Sequence, residues 1–247
     1  MIRLIALKEL RSLFVTPSTW LILGALQFIF AWFFLARLDA FLQVQAQLAQ
    51  IANAPGATQV VAMPLFGTVA LILMMLIPVF TMRLIAEERR NQTLGLLMTS
   101  PLSNTHIVLG KFLGLLLFLL LIIIGCTAMV LALVIGTHLD TGLLLSNALG
   151  LLLLATSYAA LGLYISSLTA QPGVAAIGAL AALAGLWLAD ISAEDGENGW
   201  RVLAPTSHFQ SFNAGLLNSA DAVYFVLFST LFLLLAIRRL HNNRIYG

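Results

Sequence analysis

Four charged residues stand in a row at positions 87–90 (Glu-Glu-Arg-Arg), in a chain that otherwise carries few charges. Their types suit ion pairing with a partner surface, because carboxylates accept and guanidinium groups donate strong charged hydrogen bonds. Apolar residues at helical spacing follow them. We therefore interpret residues 83–106 as a coupling segment, a charged, helix-forming stretch that a cytoplasmic protein binds. The residues assigned to this role are Glu87, Glu88, Arg89, Arg90, Thr93, Leu94 and Gly95.

A solvated turn whose arginines only set the membrane topology is the alternative interpretation. Topology needs positive charge on one side of the membrane, so it accounts for Arg89 and Arg90. The topology interpretation does not explain the paired glutamates or the amphipathic stretch 94–98. The pattern therefore favours a docking role.

Composition places this segment between membrane spans. Hydrophobic residues make up 61% and charged residues 9% of the 247 residues, and the mean hydropathy is +1.01. Such a chain has too little polar surface to cover a soluble globule. The net charge of +2 comes from basic residues scattered at the ends of apolar runs, with no continuous patch for nucleic acid. The chain is therefore predicted to be an all-α integral membrane protein.

Six apolar runs are long enough to cross a hydrocarbon core of roughly 30 Å, which takes about 20 helical residues. We predict six transmembrane helices in a single domain over residues 1–247. The first run starts too far into the chain and lacks a small-residue cleavage site, so it is not a cleavable signal peptide. The approximate runs are 20–35, 65–80, 112–135, 143–165, 174–189 and 222–237.

Basic residues are strongly biased to one side of these spans. Ten of the twelve lysines and arginines fall on the side of the two termini, and only Arg37 and Arg201 fall on the other. The positive-inside rule then places both termini in the cytoplasm. The acidic residues show the reverse bias, which agrees with this topology but carries little weight.

Three further segments have helical patterns outside the spans. Residues 1–19 resemble an amphipathic helix in contact with lipid headgroups, which Pro17 is expected to end; an ordinary basic flank of the first span is the alternative. Residues 38–51 are predicted to extend the first helix outward. The loop 190–221 is expected to hold short extracytoplasmic helices before the last span, with a break at Gly215.

The spans offer little for catalysis or proton transfer. Ionisable side chains inside a bilayer are costly and mark ion or proton pathways, and the predicted spans carry almost none. A single cysteine, Cys126, excludes an intrachain disulfide and argues against a cysteine-based metal site. The chain also lacks the Gly-x-x-x-x-Gly-Lys-Ser/Thr loop that cradles phosphate. We expect no catalytic residue, metal or cofactor.

Small residues form a stripe along the fifth predicted span. They recur at i, i+4, i+7 and i+11, which lets two helix backbones approach closely. We expect this stripe, with part of the first span, to form the interface between two subunits; packing within one subunit is the alternative. Gly110 and Gly114 form a second small pair, which Lys111 places at the membrane edge. The stripe residues are Gly178, Ala182, Gly185 and Ala189.

The segment after the second span resembles a known family. The stretch Arg83-Leu-Ile-Ala-Glu-Glu-Arg-Arg, followed by Thr93-Leu-Gly-Leu-Leu-Met-Thr-Ser-Pro and Gly110-Lys, is similar to the corresponding stretch of ABC type-2 exporter permeases. Lys8-Glu-Leu-Arg and Ala204-Pro-Thr-Ser-His-Phe are similar to the family's entry helix and outer loop. The likeness is greatest to the gliding-motility-associated permeases, whose relatives include copper-processing and sodium-exporter subunits.

The resemblance implies a permease subunit with no nucleotide site of its own. Such a subunit works in the bacterial inner membrane with a second permease, as a homodimer or heterodimer, and with two copies of a cytoplasmic ABC ATPase. A periplasmic auxiliary protein is a further partner that the resemblance suggests. The coupling segment would act as the lever through which ATP hydrolysis drives export or transmits force.

One departure from the family concerns the coupling segment. Family members usually have Gly-Thr-Leu-Glu where this chain has Gln92-Thr-Leu-Gly. An acidic contact to the ATPase is therefore absent or supplied by Glu87 or Glu88. A six-helix channel or carrier, and a membrane scaffold for an assembly system, are the alternative functions, and co-purification of an ATPase would separate them from a permease.

Overall fold

The computed structural model describes residues 2–48, 56, 58–92, 103–135, 139–192 and 202–246. Within these ranges all regular secondary structure is helical, which confirms the predicted fold class. The longer α-helices are α1 (Ile2–Val15), α2 (Pro17–Leu48), α3 (Met63–Met82), α4 (Asn104–Leu131), α5 (Thr141–Leu168), α6 (Pro172–Ser192), α7 (Pro205–Asn213) and α8 (Ser219–Tyr246).

Among the described residues, six helices are long and apolar enough to cross a membrane, as predicted. They are α2, α3, α4, α5, α6 and α8. Each is longer than its predicted run, because hydropathy finds only the part of a helix that suits hydrocarbon. The largest extension is in α2, whose 32 residues continue into the glutamine-rich stretch. The predicted outward extension of the first span is thus confirmed as far as Leu48.

The third helix continues beyond its predicted end. The π-helical segment Arg83–Glu87 follows α3 directly, and the helical turn Glu88–Arg90 extends the same rod. Residues 104–106, which the sequence assigns to the coupling segment, instead begin α4. The Ser103 hydroxyl caps that start by accepting a hydrogen bond from the His106 amide at 3.3 Å. A separate coupling helix within 93–102 lies outside the described residues and stays a prediction.

The helix α5 is the centre of the bundle. In its most apolar stretch 61% of the residues are buried, against 11% in the most apolar stretch of α2. It packs against α3, α4, α6, α7 and α8. It approaches α3 closely at Gly162, where a Cβ would overlap the Thr81 side chain. A glycine there lets the two backbones come together.

The bundle has two chemically different ends. The basic end carries α1, the stretch 83–92, Lys111 and the last turns of α8 with Arg238 and Arg239. The opposite end carries α7 and three carboxylates, Asp140, Asp190 and Asp221.

Candidate coupling site at the basic end

The helix α1 packs along the first turns of α4. A Cβ at Gly110 would lie 2.6 Å from the Cβ of Ile5, and a Cβ at Gly114 would lie 2.7 Å from the Cβ of Glu9. Only a small-xxx-small pair allows helix backbones this close. Gly110 and Gly114, the second small pair of the sequence, therefore form the surface of α4 on which α1 packs within one subunit, which we call the seat of α1.

The entry into the first membrane helix follows the prediction. The chain bends at Thr16, and Pro17 begins α2. Proline suits the first helical position, because its missing N–H would have no intrahelical partner there. The outward face of α1 exposes Leu4, Leu7 and Val15, which fits contact with lipid.

Lys111 lies between the two glycines and is buried, with 2% of its surface exposed. Its Nζ donates to Glu9 Oε1 at 2.6 Å and to Glu88 Oε1 at 2.7 Å. Both carboxylates are largely shielded, with 16% and 19% of their side-chain surface exposed. A buried ammonium needs such partners, because an unpaired charge away from water is very costly. This Lys111 triad (Glu9, Glu88 and Lys111) joins α1, α4 and the stretch after α3.

The π-helical segment Arg83–Glu87 is held against α5 by Ser166. A π turn interrupts the regular α-helical hydrogen-bond ladder. The Ser166 hydroxyl accepts hydrogen bonds from the amides of Ile85 at 3.3 Å and Ala86 at 3.0 Å, and it donates to the carbonyl of Met82 at 3.3 Å. Ser166 is fully buried, so water does not compete for these bonds. The stretch after α3 is therefore fixed on one side to α4 and on another to α5.

Other side chains of the stretch differ in exposure. Glu87 is half-buried and lines a cavity of about 270 Å³ between α1 and the end of α3, together with Lys8, Arg83 and the Lys111 triad. Arg83 and Arg90 are exposed. Arg89 is half-buried and lies near enough to Arg239 of α8 for the two positive charges to repel. The exposed charged side chains of the stretch are therefore basic.

Gln92 marks the point where the chain leaves this rod. Its φ of 58° is left-handed, which is uncommon for a residue other than glycine and typical of helix C-terminal caps. Its amide donates to the carbonyl of Arg89 at 3.2 Å. The remaining predicted coupling residues, Thr93, Leu94 and Gly95, lie outside the described residues.

The structure divides the predicted coupling residues into two groups. Glu88 binds Lys111 and Glu87 lines the cavity beside that contact, whereas Arg90 is exposed. The sequence places Lys111 at the membrane edge, but the structure buries it in a helix interface. The signal was present in the flanking Gly110 and Gly114, since small residues on both sides of a lysine indicate that another helix covers that face.

The predicted subunit stripe on α6 has two environments. A Cβ at Gly178 would lie 3.3 Å from the Ile165 side chain, and Ala182 packs against the core of the same subunit. An added Cβ at Gly185 would meet nothing within 4 Å. The part of the stripe that is open to another chain is therefore near Gly185 and the half-buried Ala189.

At the opposite end, His208 ties α7 to the start of α8. Its Nδ1 lies 2.6 Å from Asp221 Oδ1, and its Nε2 lies 3.0 Å from the carbonyl oxygen of Val202. Each ring nitrogen thus lies within hydrogen-bonding distance of an oxygen of another segment. The ring stacks on Tyr224 with centroids 3.9 Å apart, and the Tyr224 hydroxyl donates to the carbonyl of Leu203 at 2.7 Å.

Further hydrogen bonds tie α7 to the other helices. Thr206 donates to Asp190 of α6 at 2.6 Å, and the Asn213 amide donates to the carbonyl of Met63 at 3.1 Å. Ser146 of α5 donates to the carbonyl of Phe212 at 2.8 Å. The predicted break at Gly215 is confirmed, because its φ of 84° ends the helical path.

The whole chain has the features of one family. Residues 3–242 match the family described as ABC-2 family transporter protein. The chain therefore belongs to this family, and it is a multi-pass membrane protein and a permease subunit of an ABC transporter. No curated protein matches it. The predicted type-2 permease family is thus confirmed, while the closer likeness to gliding-motility-associated permeases stays a prediction.

Proposed function

We propose that this chain couples ATP hydrolysis by a separate cytoplasmic ABC ATPase to the movement of a substrate, or to the transmission of force, across the bacterial inner membrane. The basic end faces the cytoplasm in this proposal, as the distribution of lysine and arginine favours. Two permease subunits and two ATPase copies form the complex. ATP turnover belongs to the partner.

The observation that carries the proposal is the construction of the stretch 83–92. It prolongs the rod of α3, it is held to α4 and α5, and it carries the half-buried Glu87 and the exposed Arg90. A partner that pushes on these side chains moves a rod that contains Pro78. A proline interrupts the helical hydrogen-bond ladder and gives the rod a place to bend.

The test is retention of the ATPase by charge-reversed variants. Glu87→Lys combined with Arg90→Glu reverses one half-buried and one exposed charge of the stretch and leaves the side chains of Glu88 and Lys111 unchanged. Like charges across a contact cost several kcal/mol, so we expect at least about a tenfold loss of ATPase affinity, which corresponds to 1.4 kcal/mol. The tagged protein is extracted in mild detergent, and co-purified ATPase is identified by mass spectrometry and titrated.

Arg37→Glu is the matched control, because Arg37 is an exposed cation on α2 at the opposite end. It should retain the ATPase at the wild-type affinity. If the double variant also keeps the wild-type affinity and ATP turnover, the stretch only sets topology. If no ATPase accompanies the wild-type chain, a channel, a carrier or a scaffold becomes the better account.

The subunit interface is proposed to use the open part of the α6 stripe. Cysteine introduced at Gly185 in a Cys126→Ala background should cross-link two permease subunits. Cysteine at Ala175, which is buried in its own subunit, is the control and should not. A dimer band from positions on α2 alone would remove α6 from the interface.

A further inference from the structure

We propose that Lys111 is a positioning residue that fastens α1 and the stretch 83–92 into one moving body. The inference rests on the proposed function, since it concerns what moves when the ATPase pushes. As a consequence, a force that the ATPase applies to the stretch 83–92 moves the amphipathic helix α1 as well as α3.

The first step of the argument is where α1 is attached. It contacts α4 far more extensively than it contacts α2, although α2 follows it directly in the chain. The bend at Thr16 separates the two helices. The position of α1 is therefore determined by α4 and by the side chains at the contact between α1 and α4.

The second step is the position of the ammonium in the triad. Both accepting oxygens lie within 2.7 Å of the same nitrogen, and Lys8 and Arg83 line the cavity beside it. Removing Lys111 takes away the positive charge that Glu9 and Glu88 share, and the two like charges then repel more strongly in a shielded site. Lys111 is thus the group through which the stretch 83–92 is bound to α1.

The third step is the location of the triad relative to the lever. Glu88 follows Glu87 directly in the chain, so a displacement of one is a displacement of the other. The ion pairs pass it to Lys111 and from there to Glu9. Since Leu4 and Leu7 on the outward face of α1 are exposed, the moving body ends in a surface suited to lipid.

The first arm of the experiment uses the full chain alone in lipid nanodiscs, with Cys126→Ala and spin labels on Leu4→Cys and Gln92→Cys, both exposed positions. We expect a single narrow distance with the triad intact and loss of that narrow distance in Lys111→Met. Adding Glu9→Gln and Glu88→Gln to Lys111→Met should restore it, because the repulsion is gone. Packing of the lysine stem alone would leave Lys111→Met unchanged, and that result overturns the proposal.

The second arm uses the complex with its co-purified ATPase, trapped with ATP and vanadate. A reference label at the exposed Leu42 of α2 is paired in one sample with a label at Gln92 and in another with a label at Leu4. The two samples give the Leu42–Gln92 and Leu42–Leu4 distances. Both distances should change in the wild-type triad, and only the Gln92 distance should change in Lys111→Met. Equal responses in both proteins overturn the proposal.

The two arms separate failure of this inference from failure of the proposed function. If trapping moves neither label in the wild-type protein, the lever function fails, while the first arm still decides whether Lys111 fastens α1. Should Lys111→Met not insert, Glu9→Lys replaces it, because a second ammonium beside Lys111 repels α1 while the pair between Lys111 and Glu88 stays. An unchanged narrow distance in Glu9→Lys then counts against the proposal.

Discussion

The two ends of the bundle are held together by different chemistry. At the basic end, one buried ammonium connects three separate segments of the chain. At the opposite end, α7 is held by several hydrogen bonds, most of them to backbone carbonyls, and by ring stacking, spread over α3, α5, α6 and α8. Removing Lys111 breaks both ion pairs of the triad at once, whereas removing one side chain at the opposite end breaks one contact among several. The comparison predicts the larger loss for a substitution that disturbs the triad and a smaller loss for one that removes a single contact at either end.

The largest effect is expected from Gly114→Val at the seat of α1. The new Cβ would lie 2.7 Å from the Cβ of Glu9 and 2.9 Å from the carbonyl oxygen of Ala6, so α1 must leave its position and disturb the triad. Overpacking of this kind costs about 3 kcal/mol of unfolding free energy, measured by denaturant titration in detergent micelles. Gly24→Val is the control, because a Cβ at Gly24 meets nothing within 4 Å. Equal losses in both variants would contradict this account of the seat.

A smaller effect is expected from Asp221→Asn at the opposite end. The variant keeps the shape of the side chain and removes the charged partner of His208, which lies 2.6 Å away. Losing a shielded charged hydrogen bond costs about 2 kcal/mol. A double-mutant cycle with His208→Gln isolates the pair from its neighbours. A coupling energy near zero would show that the two side chains do not stabilise each other.

The smallest effect is expected from Ser166→Ala. The variant leaves the amides of Ile85 and Ala86 without their acceptor, at an expected loss of about 1 kcal/mol, because hydrogen bonds between membrane helices contribute modestly. Ser167→Ala is the matched control, since its hydroxyl donates only within its own helix, to the carbonyl of Tyr164 at 2.6 Å. Comparison of the two unfolding free energies decides whether the contact with the π-helical segment stabilises the fold.

Local patterns were sufficient for the membrane helices and for several of their boundaries. Long apolar runs predict the six spans, Pro17 predicts the separation of α1 from α2, and Gly215 predicts the end of α7. Each of these depends on residues that are close together in the chain. A proline or a glycine restricts or frees its own backbone wherever the rest of the protein lies.

The triad could not be predicted in the same way, because its members are far apart in the chain. Lys111 is 102 residues from Glu9 and 23 from Glu88, and no periodicity links them. A lysine at the end of an apolar run resembles a topology signal, and the neighbouring Gly110 and Gly114 indicate that a helix covers it without showing which carboxylates it binds. The π-helical segment also has no sequence signature here. The burial of Asn147 in α5 could likewise not be predicted, because leucine dominates the hydropathy of the run in which it lies.

The length of α2 determines where the membrane surfaces lie along it. Its 32 residues extend about 48 Å at about 1.5 Å per residue, and fitting them inside a core of about 30 Å would require a tilt of about 51°, beyond the observed range of 0–40°. The helix must therefore leave the hydrocarbon before it ends. Because Trp20 is near its beginning and Arg37 and Asp39 are the first charged residues that it reaches, the lipid headgroups of the two leaflets meet it near these positions. Its last turns, from Asp39 to Leu48, then lie in water beyond the lipid headgroups.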